Sequence, residues 1–269
     1  MKQSVFCEGW PSEKRLKIAR ERVSRLIDHL GPLYAMQAAN KLVVYSPLLS
    51  SQIPPSRAGH AFNQFQRAMH QYAVIRLAAI WDRPEKDRVS LPTIVALVSS
   101  SSVAKLLEDQ TYTYFATAAE PVSDRENEAK LEDNNFLYDH WIKERERRGR
   151  AERQLVGERL IRAVKAVNCA SKSQTAKALI KFRNDYIAHN LEMPVDNPPC
   201  KEVAPRPMRF GDEARIFRLT TRVIRTLHMT LNGTDFQLDS MQNNADRAAT
   251  ELWENCVFNI EPRRLGSLP

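Results

Sequence analysis

A chain of 269 residues, 43% hydrophobic and 27% charged, is long enough to bury a sizeable core as one large domain or two small ones. Its longest apolar runs, 72–81 and 91–98, fall well short of the roughly 20 residues needed to cross a bilayer, which argues against membrane association. A net charge of +8 favours a polyanionic partner, either nucleic acid or an acidic protein, through long-range attraction and counterion release.

The N-terminal residues carry neither an apolar core segment nor a small-residue cleavage site, so a cytosolic protein is expected. Cys7, Cys169, Cys200 and Cys256 are widely separated, with no Cys-x-x-Cys pair. They fit free thiols in a reducing compartment better than a disulfide frame or a structural metal. No cofactor-binding motif is visible, and there is no internal repeat or glycine-rich phosphate loop.

Only 8 glycines interrupt the chain, and most of the 15 prolines fall in a few stretches. The segments between them show apolar residues three and four apart, so the fold is expected to be all-α, as a single helical domain over 12–260 with short tails at 1–11 and 261–269. The first helix is expected over 12–40, with Leu16, Ala19, Val23, Leu26, Ile27 and Leu30 on one stripe and a kink at Gly31-Pro32. A loop over 46–59 follows.

The second helix, 60–81, presents Phe62, Phe65, Met69, Tyr72, Ile75, Ala79 and Ile80 as its expected buried face. "DRPEKDR" ends it. Ser90 is a suitable N-cap for a short third helix, with Val89 and Ile94 placed as a hydrophobic staple and Pro92 in the first turn. A fourth helix is expected over 103–119.

No proline interrupts 123–170, which gives either one long helix or two joined near Gly149. Its middle, "KERERRGRAERQ" at 143–154, has almost no apolar residue and is expected to project into solvent or a partner. It reads either as a solvated helix laced with i to i+4 ion pairs or as a nucleic-acid or dimer contact. The next helix is expected over 173–191, followed by a proline-rich loop at 193–210 and a C-terminal helical pair at 212–256.

The first member of that pair has an apolar face of Ile216, Leu219, Val223, Leu227 and Leu231. On another face Arg215, Arg218, Arg222 and Arg225 recur at helical spacing. The stripe suits phosphate contact or simple solvation. The aromatic residues Tyr112, Tyr114 and Phe115 suit base stacking or, more simply, packing at an interface.

The stretch "KFRNDYIAHNLE" at 181–192 carries Arg183, Asn184, Asp185 and His189. An arginine and a histidine suit metal-free phosphodiester cleavage. A neutral imidazole, with a reference pKa of about 6.5, can take or give a proton, and the guanidinium stabilises charge developing on phosphoryl oxygens. Asn184 can orient either partner. Asp185 can hold the His189 ring or pair with a lysine.

On an α-helix six residues separate Arg183 from His189 by about 120°, so they flank a groove. Two copies meeting on a two-fold axis would supply one histidine as base and the other as acid. Spacing alone is not specific, because Arg22 with His29 and Arg222 with His228 lie similarly apart. A valine, however, follows the arginine in both of those pairs. His29, His60, His70, His140 and His228 form no grouping of metal-site spacing and read as surface or packed residues.

"FRNDYIAHN" resembles the motif of the HEPN superfamily. The stretches at 76–98 and 232–253 resemble its abortive-infection AbiU-like branch, and the likeness extends over about 20–256. The resemblance implies a HEPN-like helical bundle and a homodimeric, metal-independent endoribonuclease acting on RNA. Arg183 and His189 would then be the catalytic pair, and Asn184 the polar position between them. It further implies an antiphage or toxin-type role, with an antitoxin or regulatory protein as a possible partner.

Family members neutralised by a nucleotidyltransferase antitoxin often carry a tyrosine two places after the histidine; here that place is Leu191. Tyr186, three residues before the histidine, reads as a packed aromatic. The alternative to an enzyme is a non-catalytic HEPN-like protein that uses its basic helices to hold RNA or a protein partner.

Overall fold

In the computed structural model of the chain, the residues described are 6–117, 131–188, 209 and 211–260. They form nine α-helices and one π-helical turn, with no strand among the described residues. Helix α1 (Ser12–Tyr45) lies at the centre, and the helices Arg57–Ile80, Leu91–Val98, Ser101–Ala116, Asp212–Asn232 and Leu238–Trp253 all pack on it. It buries the stripe expected from the sequence, Leu16, Ala19, Val23, Leu26, Ile27 and Leu30. Each buried leucine or isoleucine contributes about 1.5–3 kcal/mol of apolar burial.

Helix α1 continues unbroken past Pro32 to Tyr45, beyond the expected end at 40. An interior proline costs about 3 kcal/mol. Its neighbours Leu30, Leu33 and Tyr34 are buried in the core, which offsets that loss. The stretch expected as a loop holds a further helix, α2 (Pro47–Gln52). Proline at its start and the Ser46 hydroxyl, which accepts from the Leu49 amide, begin it.

Helix α3 (Arg57–Ile80) turns a different face to the core than its pattern suggests. It buries Met69, Ala73, Val74, Leu77, Ala78 and Ile80. Of the expected face only Met69 and Ile80 are buried; Phe62 is half-buried, and Phe65, Tyr72, Ile75 and Ala79 are exposed. The helix carries two apolar stripes, and the one holding Ala73, Val74, Leu77 and Ala78 faces the core.

Helix α4 (Leu91–Val98) begins as expected, with the Ser90 hydroxyl accepting from the Thr93 amide at 3.3 Å and Pro92 in the first turn. Helix α5 (Ser101–Ala116) is capped likewise by Ser100.

Helix α6 (Leu131–Ser171) passes through Gly149 as one continuous helix, while the first part of the expected segment lies outside the described residues. Its charged middle does not project into solvent. It runs antiparallel along α5, and Gly149 is buried against Tyr112, where a Cβ would meet the ring at 3.1 Å. Arg145 donates to the Ala116 carbonyl at 2.7 Å, Arg148 lies over the Phe115 ring at 5.0 Å, and Arg153 pairs with Asp109 at 2.9 Å. Arginine stems and one glycine thus provide the contact surface that apolar side chains ordinarily would. Pairs within the helix, Glu144 with Arg147 and Glu146 with Arg150, occupy the outer face.

Helix α7 (Gln174–Phe182), capped by Ser173, passes into the π-helical turn Arg183–Ala188. Helix α8 (Asp212–Asn232) is bracketed by Gly211 and Gly233, both left-handed, and α9 (Leu238–Trp253) follows. The expected α8 face is buried at Ile216, Val223, Leu227 and Leu231, joined by Phe217 and Ile224, while Leu219 is partly buried. The proline-rich loop falls outside the described residues, apart from Arg209. No single helix among the described residues is long and apolar enough to cross a membrane.

Candidate functional site

The site begins at the C-terminal end of α3. Trp81, almost wholly buried, donates from Nε1 to the Thr220 hydroxyl of α8 at 2.7 Å. This bond fixes the point where the chain leaves α3. The next residue, Asp82, therefore presents its carboxylate from a rigid anchor. The loop after it is held at its far side, where the Glu85 amide donates to the Thr93 hydroxyl and Arg22 donates to the Lys86 carbonyl.

Asp82 is the principal partner of the motif arginine. Arg183 Nη1 donates to its Oδ1 at 2.8 Å, and both side chains are less than a fifth exposed. Arg88 approaches the other oxygen at 3.3 Å. Arg183 also donates from Nε and Nη2 to the Asn184 Oδ1, at 3.0 and 2.9 Å. These bonds commit three of the five guanidinium N–H donors, and the other two have no partner among the described residues. Asn184 therefore orients the arginine. A charge-assisted pair between half-buried groups holds a planar fork far better than a solvent-exposed one.

The helix loosens where this happens. Residues 183–188 form a π-helical turn, a widened geometry frequent at functional sites. The α-helical angle of about 120° between positions 183 and 189 accordingly does not carry over. Asp185 pairs with Lys181 one turn earlier, the simpler of its two sequence readings. His189 itself lies outside the described residues, as does the side chain of Tyr186.

The arginine stripe of α8 is divided. Arg225 forms a bidentate pair with Asp235, at 2.8 and 2.7 Å, because the left-handed turn at Gly233 folds the chain back beside the helix. This pairing holds the Asp235 carboxyl below its usual pKa. Arg215, Arg218 and Arg222 are exposed, and no carboxylate among the described residues pairs with them.

Of the aromatic residues, Tyr112 and Phe115 pack in the α5–α6 seam, whereas Tyr114 is 72% exposed. His70 pairs with Glu213 at 3.1 Å, tying α3 to α8; that hydrogen bond raises the histidine pKa against the effect of burial. Cys7, Cys169 and Cys256 are free thiols. No group of three or more His, Cys, Asp or Glu side chains among the described residues is placed to hold a metal ion.

Asp82 and Arg88 were not identifiable as site residues from the sequence, where "DRPEKDR" reads only as a helix stop. Asp82 and Arg183 are 101 positions apart, so no local pattern could pair them. The one local hint was a carboxylate directly after a tryptophan at the end of an apolar helix.

Among known proteins, the chain matches the model of the AbiU2 family, HEPN_AbiU2, over residues 18–252. No curated protein and no solved structure matches it.

Proposed function

The chain belongs to the AbiU2 family of HEPN-type abortive-infection proteins, and we propose that it is a metal-independent endoribonuclease working as a homodimer in antiphage defence or a toxin-type system. The observation that carries this reading is the Arg183 fork. It is fixed by Asp82 and Asn184 at a π-helical turn, and two of its N–H donors, without a partner among the described residues, suit a phosphoryl oxygen.

In the reaction, the RNA 2′-hydroxyl attacks the adjacent phosphorus and gives its proton to His189 of one copy. The bond from phosphorus to the 5′-oxygen breaks, and His189 of the other copy protonates that oxygen. The products are a 2′,3′-cyclic phosphate and a 5′-hydroxyl end. Arg183 stabilises the charge that builds on the non-bridging oxygens. Arg215, Arg218 and Arg222 hold the RNA backbone, and an antitoxin or regulatory protein restrains the activity.

The face of α3 left exposed supports the dimer. Ala61, Phe65, Ala68, Tyr72, Ile75 and Ala79 are all exposed and recur at alternating four- and three-residue steps. That is the spacing of a coiled-coil seam. Phe65 is 46%, Tyr72 42% and Ile75 38% exposed. The seam ends at Ala79, three residues from Asp82, so a parallel pairing with a second copy brings two Arg183 sites towards one axis.

A specific observation favours a second reading. The Arg183 charge is already met by Asp82, as it would be in a non-catalytic scaffold that binds RNA or protein. Incubating wild type, His189→Ala and Arg183→Ala with labelled RNA in EDTA separates the two. The enzyme reading expects cyclic-phosphate ends from wild type, a loss of about 10²–10⁴-fold in His189→Ala, and a loss of about 10²–10³-fold in Arg183→Ala. Cleavage unchanged in both variants, with Arg183→Ala merely less stable, would leave the scaffold.

A further inference from the structure

Beside Asp82 lies a cavity of about 250 Å³ that the proposed reaction does not use. His29 of α1, Arg76 and Ala79 of α3, and Asp82, Arg88 and Val89 of the following loop line it. Arg76 Nη2 lies 2.7 Å from His29 Nδ1. Burial, and then the neighbouring Arg76 cation, push the His29 pKa below its ordinary value, against a smaller opposing effect of exposed Asp28. The ring is therefore neutral at pH 7. With Nδ1 accepting from Arg76, its Nε2 carries the proton and is a donor.

The charges in this cavity do not balance. Asp82 serves Arg183 and Arg88, while Glu85 serves Arg83 and Arg88. Arg76 has no carboxylate partner among the described residues, and its only hydrogen bond there is to the neutral His29 ring. A half-buried arginine without a counterion is costly. Of the groups it shares the cavity with, His29 and Arg88 supply donors, Ala79, Ile80 and Val89 are apolar, and the one carboxylate, Asp82, is already paired with Arg183 and Arg88. Such a site takes an anion with several acceptor oxygens, and a planar guanidinium fork matches phosphate in particular.

We propose that this cavity is a phosphate-binding site, with Arg76 as its main ligand, His29 as the residue that positions Arg76 and donates alongside it, and Arg88 at its rim. The group bound is either a backbone phosphate of RNA running past Arg183 or the phosphate of a small nucleotide. The site stands apart from the nuclease reading, since its occupancy needs no cleavage.

The test is a titration of the wild-type protein with inorganic phosphate at constant ionic strength, following the His29 ring resonances, which are assigned by their absence in His29→Gln. Saturable shifts with phosphate but not with chloride are expected, weakened at least ten-fold in Arg76→Gln and partly retained in Arg76→Lys. An absence of saturable shifts in the wild type overturns the proposal, whatever the fate of the variants.

A second measurement identifies the source of the phosphate. If it belongs to RNA, the salt slope of single-stranded RNA binding falls by about 0.7 in Arg76→Gln. If the slope is unchanged while phosphate still binds the wild type, the ligand is a small phosphorylated compound. Neither result depends on whether His189→Ala abolishes cleavage.

Discussion

The charged middle of α6 and the outward stripe of α3 reverse one another. Residues 143–154 have almost no apolar side chain, yet they lie along α5, with Gly149 against Tyr112 and Arg148 over Phe115. Phe65, Tyr72 and Ile75 are apolar, yet they face outward. Hydropathy alone therefore does not decide every contact within one chain. A missing Cβ and extended arginine stems let the charged middle of α6 pack on α5, while α3 turns the stripe holding Ala73, Val74, Leu77 and Ala78 to the core.

The comparison breaks most decisively at the α3 seam. If that stripe joins two copies, Ile75→Glu weakens the dimer by about 2 kcal/mol or more, roughly 30-fold in Kd, with unchanged circular dichroism. Sedimentation over a concentration series measures it. An unchanged association constant, or a wild type that is monomeric throughout, would mean that the stripe does not join two copies.

The α5–α6 seam offers the next largest effect. Gly149→Leu forces a side chain into Tyr112 and should cost about 1–3 kcal/mol in denaturant unfolding. Gly157 provides the contrast. A Cβ there meets only the end of the Glu108 side chain, which can swing away. Gly157→Ala should therefore gain up to about 1 kcal/mol from helix propensity. Equal losses at both glycines would show that α6 is not held by close approach at Gly149.

The smallest effect is the α3–α8 tie. Glu213 raises the His70 pKa, so this pair stabilises the fold fully below pH ~6.5, and the contribution is lost as pH rises through the higher folded value. His70 is partly exposed, which limits the tie to about 0.2–1 kcal/mol. His29 acts with the opposite sign: its lowered pKa means that stability is lost as pH falls below ~6.5. Comparing the pH dependence of unfolding in His70→Gln and His29→Gln separates the two, and slopes of the same sign in both would contradict the assignment.

Much of the fold was legible in the residues. The α1 stripe from Leu16 to Leu30, the Ser90 cap with Pro92, and the α8 face from Ile216 to Leu231 follow from spacing and capping chemistry alone. Each depends on neighbours within a few turns of the same helix. The extension of α1 beyond residue 40 to Tyr45 was not legible, because what holds it comes from another helix: Val43 is buried and its carbonyl accepts from Gln66 of α3. The α8 arginines looked alike in sequence, yet Arg225 is taken up by Asp235 through a turn that only the folded chain closes.

By itself, the sequence determined an all-helical chain and the position of its Arg183-Asn184 motif, because helical periodicity, caps and short motifs are written in adjacent residues. The tertiary structure decided what that motif touches. Asp82, itself paired with Arg88, reaches it from another helix end, anchored by the Trp81–Thr220 bond, and the Arg76–His29 cavity opens beside it. Electrostatic pairing depends on distance in space, and packing brought together charges that lie far apart along the chain.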